Sequence, residues 1–523
     1  MPNTVSPDLV RSWLSDGQEL AFLDVREHGQ YGEAHPFFVV PAPYSVFESR
    51  LAELVPRPKT RVVLVDDGDG IAARAARQAE AMGYGSINIL DGGAPAWAAA
   101  GHTLYAGVNV PSKTFGELLE VERHTPRLSA DEVRQLQQSE ADHIILDGRP
   151  FSEYAKFNIP GGICCPNGEL ALRVGDLVPS SATTIVINCA GRTRSILGAQ
   201  TLIDAGIPNP VFALENGTQG WFLAGLQLER GATERHTDEF DSSGLDARRA
   251  EVERRAKRAG AKFISASGAA ALCADADRTT YLIDVRTAEE FAAGTAAGAI
   301  HAPGGQLVQA TDQWIGVRGA HIVLFDDDMI RAPLVAYWLS QLGHDAYVVD
   351  GGLAAAKSIV AAQHCRTGWA APTVLSIEAG GLPDHNPQIV DIRASMTYRE
   401  GHIEGALWSI RPRLDRLGLD PARPVVLVGD ETAAALAAHD LTAAGAGNVS
   451  RLRGGPDDWR GAGLTIVASS DQPADADCID FLFFTSERHN GNEAASRQYL
   501  AWEIGLVDQL DDLERNSFNI VGD

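Results

Sequence analysis

The chain repeats one sequence pattern four times, and this repeat restricts the fold more than any other feature. Each copy begins with a short apolar segment that ends in Asp-x-Arg, and the four motifs are Asp24-Val-Arg26, Asp147-Gly-Arg149, Asp284-Val-Arg286 and Asp391-Ile-Arg393. A second apolar segment follows within each copy, at residues 62–65, 185–187, 322–325 and 425–428. Units that recur at such intervals indicate tandem domains of about 100 residues each.

Apolar segments, short helices and Gly-rich turns alternate in the same order within the copies. This order predicts α/β domains, each with a mainly parallel β-sheet and helices on both faces. We expect four such domains and a partly helical tail, at residues 1–107, 125–232, 260–368, 372–470 and 471–523.

Two stretches between the domains are expected to be linkers, at residues 108–127 and 232–260. The second contains a charged helical run at 247–258, which favours a solvated connector over a basic partner-binding helix. In the tail, an amphipathic helix is expected at 494–513. The aromatic residues at 481–484 are expected to pack against a domain rather than to form an exposed docking peptide.

Copy two contains a stretch with the composition of a reactive site, Thr184-Ile-Val-Ile-Asn-Cys-Ala-Gly-Arg-Thr-Arg-Ser195. Residues 185–187 predict a buried strand, and residues 189–194 predict a tight polar loop. A helix is expected from Ser195 onward, with Ser195 or Thr193 as its cap. Cys189 is therefore expected at the carboxyl end of a parallel strand, where ligands bind in open α/β sheets.

This position gives Cys189 the expected properties of a nucleophile. Backbone N–H groups and the helix dipole favour an anion there, and Arg192 and Arg194 add to that field. These surroundings predict a lowered pKa for an accessible Cys189 thiol, and hence a thiolate that attacks an anionic substrate. A side chain closed off from water, or turned away from its loop, would contradict this interpretation.

The order strand, Cys, short Gly-containing loop, Arg five residues after the Cys, Ser and helix resembles the active-site loop of rhodaneses, the thiosulfate sulfurtransferases and their relatives. The commoner family pattern has Gly three residues after the Cys, whereas Gly191 follows by two and Arg192 takes the third place. The resemblance extends over all four copies, and the chain is similar to long bacterial sulfurtransferases with four such domains.

The resemblance implies a two-step transfer of a sulfane sulfur from thiosulfate or a similar small anionic donor. Cys189 and Arg194 are the implied catalytic residues, as persulfide carrier and as ligand of the sulfonate. The implied substrate-binding residues are Ala190, Gly191, Arg192, Thr193 and Ser195. A thiophilic acceptor, usually cyanide, then removes the sulfur, and neither a cofactor nor a metal is implied.

Two alternatives stay open beside sulfur transfer. Cysteine phosphatases and arsenate reductases use Cys-x5-Arg, with the arginine six residues after the cysteine. Here Ser195 is sixth after Cys189 and Arg194 is fifth, which favours sulfur transfer. The second alternative is a persulfide carrier or scaffold that delivers sulfur to a protein partner, since only one copy has the cysteine.

The other three copies are predicted to be inactive. The residues in the place of Cys189 are Asp66 in copy one, Asp326 in copy three, and Gly429 or Asp430 in copy four. Carboxylates and hydrogen cannot accept a sulfane sulfur, and acidic loops repel thiosulfate. Structural scaffolding is the favoured role of these loops, with metal binding as the alternative.

The remaining cysteines do not indicate a second site. Cys164 and Cys165 are expected to pack in the core rather than to relay sulfur. The others are Cys273, Cys365 and Cys478, and no Cys-x-x-Cys pair occurs. Because the Asp-x-Arg motif recurs in copies without the cysteine, Asp147 and Arg149 are assigned to architecture.

Composition excludes several classes of partner. A net charge of −25 opposes binding to nucleic acid or to an anionic membrane surface. No apolar run reaches the roughly 18 residues that a membrane span needs, and the first residues lack the regions of a signal peptide. Scattered cysteines suit a reducing cytoplasm. The oligomeric state and the physiological donor and acceptor stay open.

Overall fold

The structure is a computed structural model, and it describes residues 3–139, 141–237, 244–359, 369–382, 386–489 and 491–522. Each of the four copies contains a five-stranded sheet, and the copies are numbered one to four in chain order.

Copy one is followed by a long connecting helix. Its strands are β1 (Asn3–Val5), β2 (Ala21–Asp24), β3 (Val40–Pro41), β4 (Val62–Val65) and β5 (Ile87–Leu90). Its helices are α1 (Pro7–Trp13), α2 (His28–Glu33), α3 (Phe47–Leu54), α4 (Ile71–Ala81) and α5 (Gly93–Ala99). The connecting helix is α6 (Val110–Arg123).

Copy two carries the cysteine loop, and a second connecting helix follows it. Its strands are β6 (Arg127–Leu128), β7 (His143–Asp147), β8 (Ile163–Cys164), β9 (Thr184–Asn188) and β10 (Val211–Leu214). Its helices are α7 (Ala130–Gln138), α8 (Phe151–Lys156), α9 (Leu170–Leu177), α10 (Thr193–Asp204) and α11 (Gly217–Leu223). The second connecting helix is α12 (Leu245–Arg258).

Copy three repeats this order of elements. Its strands are β11 (Lys262–Ile264), β12 (Thr280–Asp284), β13 (Ile300–His301), β14 (His321–Phe325) and β15 (Asp345–Val349). Its helices are α13 (Ala266–Ala274), α14 (Ala288–Ala293), α15 (Gly304–Gln309), α16 (Arg331–Gln341) and α17 (Gly352–Ala356).

Copy four adds a small antiparallel pair, β18 with β22, to its five-stranded sheet. Its strands are β16 (Leu375–Ile377), β17 (Gln388–Asp391), β18 (His402–Ile403), β19 (Leu407–Trp408), β20 (Val425–Val428), β21 (Val449–Leu452) and β22 (Ile466–Val467). Its helices are α18 (Ser395–Glu400), α19 (Glu431–Ala443) and α20 (Pro456–Gly461). The tail contains α21 (Phe483–Ser486), α22 (Glu493–Ile504) and α23 (Asp512–Arg515).

The five-stranded sheets share one strand order. In copy two it is β6-β10-β9-β7-β8, and each neighbouring pair is parallel. β9 is the central strand, with Ile185 opposite Ile144 of β7 and Val211 of β10. The loop that begins at Cys189 therefore starts from the middle of the carboxyl edge of this sheet.

Side chains alternate along β9, so helices cover both faces of its sheet. Ile185 and Ile187 pack in a cluster with Leu202 of α10. Val186 packs in a different cluster, with Trp221 of α11. Successive side chains of a strand point to opposite faces, and so a continuous apolar run marks a strand that is buried on both sides. The predicted fold class is confirmed.

The Asp-x-Arg motif forms the same ion pair in each copy. The guanidinium–carboxylate distance is 2.6 Å for Arg26 and Asp24, 2.7 Å in copies two and three, and 2.6 Å in copy four. The same guanidinium donates to the carbonyl eight residues later, as from Arg149 to the carbonyl of Phe157 at 2.6 Å. The pair closes the short helix onto the strand, which confirms the architectural assignment of Asp147 and Arg149.

Packing divides the chain into two compact units that do not follow sequence order. One unit holds copies one and four, from the described parts of residues 1–13, 21–108 and 366–483. The other holds copies two and three with the end of the tail, from the described parts of 14–20, 109–365 and 484–523.

Each unit has its own contacts between copies. In the first, Arg411 of copy four pairs with Glu48 of copy one at 2.6 Å, and both side chains are buried. In the second, an apolar cluster joins Leu172 of copy two, Val252 of α12 and Leu334 of copy three. Neighbouring copies in space are therefore one with four and two with three.

Both expected linkers form helices with a buried face. α6 packs against α10 and buries Phe115 and Leu119. α12 packs against α10 and α16 and buries Leu245 and Val252. The prediction of a merely solvated connector at 247–258 is wrong, because the charged residues of α12 occupy only part of its surface.

The tail is less helical than predicted. The helix expected at 494–513 ends at Ile504, and the separate helix α23 begins at Asp512. α22 packs against α6 and α11 and buries Tyr499 and Leu500. Residues 481–484 are buried or half-buried, and the Leu482 side chain lies against Gly32 of copy one, so the predicted packing of this stretch is confirmed. Within the described residues, none of the helices combines the length and apolar character that crossing a membrane requires.

Candidate active site

The loop after β9 consists of Cys189 to Arg192, and α10 begins at Thr193. The predicted capping is wrong, because Arg192 is the N-cap residue and no side chain caps the helix. Thr193 and Ser195 lie within the first turn, where their hydroxyl groups donate to Glu503 and Cys189 instead.

The turn before α11 supports this loop. Gly217 has φ of +53°, and a Cβ there would lie 2.3 Å from the carbonyl oxygen of Cys189, so a larger residue does not fit. The Thr218 N–H donates to that same carbonyl at 2.8 Å. Gln219 Nε2 donates to the carbonyl of Ala190 at 3.1 Å. These contacts fix the loop carbonyls against α11.

The Cys189 thiol faces its own loop. Its Sγ accepts a hydrogen bond from Ser195 Oγ at 3.1 Å, and the backbone of Gly191 lowers the pKa of the thiol. Cys189 is only 2% exposed, so the expectation of an accessible thiol is wrong in this structure. Two findings would contradict the sulfurtransferase interpretation. The first, a side chain closed off from water, is observed. The second, a thiol turned away from its loop, is not observed.

The predicted lowering of the Cys189 pKa is also wrong. Burial raises the pKa of the Cys189 thiol above its ordinary value, since a thiolate is poorly solvated in this position. The charge of Arg194 and the hydroxyl of Ser195 act in the opposite direction, and the charge of Glu503 adds to the increase. The sequence shows the two arginines but not the burial, which has the larger effect.

Arg192 is held by two carboxylates of α6. Its Nε donates to Glu117 at 2.8 Å, and another guanidinium nitrogen donates to Glu120. Burial raises the pKa of Glu117 to about 7, although the bond from Arg192 lowers it. In this structure the Arg192 side chain joins α6 to the loop, and its cation is already neutralised by protein groups.

Arg194 forms an ion pair with Glu153 of α8, through two bonds of 2.8 Å. Copy three contains the same pair: Arg331, five residues after Asp326, donates to Glu290 at 2.6 and 3.1 Å. A pair that persists in a copy without the cysteine belongs to the architecture. The Arg194 charge nevertheless lowers the pKa of the Cys189 thiol.

The loops of copies one and three bind a carboxylate where copy two has the thiol. Asp66 accepts N–H bonds from residues 68, 70 and 72 at 2.9, 3.1 and 2.9 Å. Asp326 accepts N–H bonds from residues 329, 330 and 332 at 2.9, 3.0 and 2.9 Å. Copy four has no comparable loop, since Asp430 is the N-cap of α19 and accepts the N–H of Ala433 at 2.9 Å. The end of the strand is thus an anion-binding cradle of backbone N–H groups.

Sequence reasoning missed three residues that α6 and α22 bring to the loop. Glu503 Oε1 accepts the hydroxyl of Thr193 at 2.8 Å. A ring carbon of Tyr499 lies 3.4 Å from the position of a Cβ on Gly191. Lys113 Nζ donates to the Tyr499 hydroxyl at 2.6 Å, and burial lowers the pKa of Lys113 to about 7.

Only part of this arrangement had a signal in the sequence. Glu117 and Glu120 are three residues apart, which places both on one face of α6 once that helix is recognised. Glu503 lies 310 residues after Thr193, and no local pattern brings the two together.

The other cysteines lie away from this chemistry. Cys164 and Cys165 are buried, and burial raises the pKa of the Cys164 thiol to about 12, so the prediction that they pack in the core is confirmed. Cys273 and Cys478 are buried as well. Cys365 lies outside the described residues. Across the described ranges, no group of three or more His, Cys, Asp or Glu side chains is arranged to hold a metal ion.

Comparison with known proteins identifies the repeated unit. The family model of the rhodanese-like domain matches residues 6–100, 129–224, 265–358 and 379–462. Each matched segment contains one of the four five-stranded sheets in large part.

A solved structure matches the chain over its whole length. The crystal structure of thiosulfate sulfurtransferase from Pseudomonas aeruginosa is 40% identical, covers 99% of this chain and 100% of that chain, and gives a TM-score of 0.90. A curated relative, an HTH-type transcriptional regulator of Mycobacterium tuberculosis, is 35% identical over 104 residues, which is 20% of this chain. The chain spans 45% of the length of that regulator.

Proposed function

The chain belongs to the rhodanese family, and from this membership we propose that it carries a sulfane sulfur from thiosulfate or a similar donor to a thiophilic acceptor such as cyanide, through a persulfide on Cys189. The similarity to a thiosulfate sulfurtransferase along the whole chain supports a sulfurtransferase of the rhodanese type.

The observation that carries the proposal is the exchange of a thiol for a carboxylate at equivalent loops. Asp66 and Asp326 accept several backbone N–H bonds at the end of their central strands. Cys189 follows the equivalent strand, and the backbone of Gly191 lowers the pKa of its thiol. A cradle that binds a carboxylate in two copies suits a thiolate or a persulfide anion in the third.

The first proposed step loads the sulfur. The Cys189 thiolate attacks the outer sulfur of thiosulfate, a new S–S bond forms, and the old S–S bond breaks with its electron pair leaving on sulfite. The enzyme then holds a persulfide anion, so charge and atoms balance without an added oxidant. The charge of Arg194 and the Ser195 hydroxyl favour both the thiolate and the persulfide anion.

The second step returns the enzyme to its starting state. Cyanide attacks the terminal sulfur of the persulfide, thiocyanate leaves, and the electron pair of the broken bond restores the Cys189 thiolate. The cycle is ping-pong, because the first product leaves before the acceptor reacts. We propose a reducing cytoplasm as the setting, since the cycle needs Cys189 as a thiol.

Access to the thiol requires movement around the loop. Cys189 is 2% exposed, and the side chains of Tyr499 and Glu503 lie against Gly191. A donor of the size of thiosulfate therefore reaches Sγ only after these neighbours shift. The substrate-binding role of Arg192 likewise requires it to exchange Glu117 for the substrate.

The test is direct detection of the persulfide. Incubation with thiosulfate and no acceptor should add the mass of one sulfur atom to the peptide that contains Cys189. Cys189→Ser should abolish both this adduct and thiocyanate release with cyanide. Cys164→Ser is the matched control, because it replaces another buried cysteine, whose Sγ donates to the backbone carbonyl of Arg149 at 3.5 Å.

The same assay separates the alternatives. An adduct without thiocyanate release identifies a persulfide carrier rather than a catalyst. Hydrolysis of an aryl phosphate in place of sulfur transfer identifies a phosphatase. Thiocyanate release that persists in Cys189→Ser contradicts the proposal.

A further inference from the structure

The tail helix α22 lies outside the four repeated copies and brings a carboxylate to the cysteine loop. Glu503 is 2% exposed, and its Oε1 accepts the Thr193 hydroxyl at 2.8 Å. Its Oε2 is buried and has no hydrogen-bond partner among the described residues. That oxygen lies 3.0 Å from the position of a Cβ on Gly191, which is in the same loop as Cys189.

Burying a carboxylate oxygen without a hydrogen-bond partner costs folding free energy, so the presence of Glu503 at this place needs a reason. Its field extends to the thiol, since the charge of Glu503 raises the pKa of Cys189. Geometry and electrostatics therefore agree that Glu503 lies beside the space where a donor must approach Sγ.

The cations of the loop oppose this charge. At the Cys189 thiol the charge of Arg194 lowers the pKa, against the effect of Glu503, and has the larger effect. Arg194 is also paired with Glu153, and Arg192 is paired with Glu117 and Glu120. Glu503 therefore adds a repulsion that a dianion such as thiosulfate meets more strongly than a monoanion does. Like charges close together in a water-poor site repel strongly, and the repulsion scales with the charge of the donor.

We propose that Glu503 is a specificity-determining residue of the Cys189 site, which disfavours dianionic sulfur donors relative to monoanionic ones. The inference rests on the proposed sulfur transfer at Cys189. The donor class that it favours has the sulfane sulfur on a group with one negative charge, as in an alkyl thiosulfonate.

Thiosulfate and methanethiosulfonate form a suitable pair of probes. Replacing one sulfonate oxygen by a methyl group removes one negative charge and keeps the size and the reacting S–S bond similar. In both cases the Cys189 thiolate attacks the outer sulfur, and the leaving group is sulfite or methanesulfinate. The difference between the two donors therefore reports on charge.

The experiment compares kcat/KM for the two donors, with cyanide as acceptor, in the full-length protein. Glu503→Gln should raise kcat/KM for thiosulfate about tenfold relative to methanethiosulfonate. The amide oxygen of Gln can still accept the Thr193 hydroxyl, so the change removes charge and little else.

Two further variants isolate the effect. Glu493→Gln removes a carboxylate from the same helix where it is exposed and paired with Arg497, and it should leave the donor ratio unchanged. Glu503→Asp keeps the charge and should keep the donor ratio of the natural protein. If Glu503→Gln does not fold, Glu503→Ala replaces it as the variant without the charge.

The outcomes are distinguishable. A donor ratio that shifts in Glu503→Gln and not in Glu493→Gln supports the inference. If both donors load Cys189 and the ratio is unchanged in the variant without the charge, the inference is overturned while sulfur transfer stands. If neither donor forms an adduct on Cys189, the proposed function and the inference both fail.

Discussion

The loops of copies two and three show how one architecture holds two different chemistries. Both follow the central strand of a five-stranded sheet, and both have an arginine five residues after the first loop residue, Cys189 or Asp326. Arg194 pairs with Glu153, and Arg331 pairs with Glu290. Only the group in the cradle differs in kind: a thiol in copy two and the Asp326 carboxylate in copy three.

Three smaller differences separate the loops. The helix after the loop begins one residue later in copy three: α16 begins five residues after Asp326, at Arg331, and α10 begins four residues after Cys189, at Thr193. Ala332 stands where copy two has Ser195, so no hydroxyl group donates from that position. The copy two loop is also contacted by Glu503 of the tail. The comparison teaches that the arginine–glutamate pair alone does not mark an active copy.

The largest expected effect comes from moving the thiol between copies. In the double variant Cys189→Asp with Asp326→Cys, thiocyanate release should fall by roughly a thousandfold or more, because the second cradle lacks the hydroxyl donor and the tail contact. Mass spectrometry after incubation with thiosulfate should find no sulfur adduct at either position.

The single variant Cys189→Asp is the control for folding. A carboxylate in this cradle already occurs in copies one and three, so the thermal unfolding midpoint should change by no more than about 4 °C. A persulfide at position 326 at the rate of the natural protein would show that the N–H cradle alone is sufficient.

An intermediate effect is expected from the paired arginines. Arg194→Lys loses the two-pronged contact with Glu153 but keeps a cation near Cys189, and turnover should fall about tenfold. Arg331→Lys should keep turnover within about twofold and lower the unfolding midpoint, because Arg331 is buried among four carboxylates. Equal losses of turnover in both variants would mean that the arginine–glutamate pairs affect activity only by stabilising the packed unit of copies two and three.

The smallest effect concerns the hydroxyl that distinguishes the loops. Ser195→Ala removes the bond to Cys189 Sγ and should raise the pKa of the thiol further. Alkylation of Cys189 by iodoacetamide should then slow about threefold at neutral pH, since less thiolate is present below the pKa. Above the pKa both proteins are thiolates and the difference should vanish.

The pH series carries its own control. Ala332→Ser, at the matching place in copy three, should leave the alkylation of Cys189 unchanged throughout. A rate difference for Ser195→Ala that stays constant across the whole pH range would show that the hydroxyl positions the thiol without stabilising its charge.

Local sequence determined the fold and the place of Cys189. The apolar run at 185–187 forms a strand with both faces covered, and Cys189 follows it at the carboxyl edge of the sheet. The recurrence of Asp-x-Arg identified an ion pair that repeats in each copy. Such features depend on periodicity and short spacing, which a sequence displays directly.

The surroundings of Cys189 were decided by the tertiary structure. The pKa of the Cys189 thiol is raised because the residue is buried, and burial depends on the packing of the whole unit. Arg192 is paired with α6, a helix expected only as a linker. Glu503 reaches the loop from the far end of the chain. Long-range apolar contacts determine which copies pack together and which charged groups lie near the thiol. No local sequence pattern encodes these contacts.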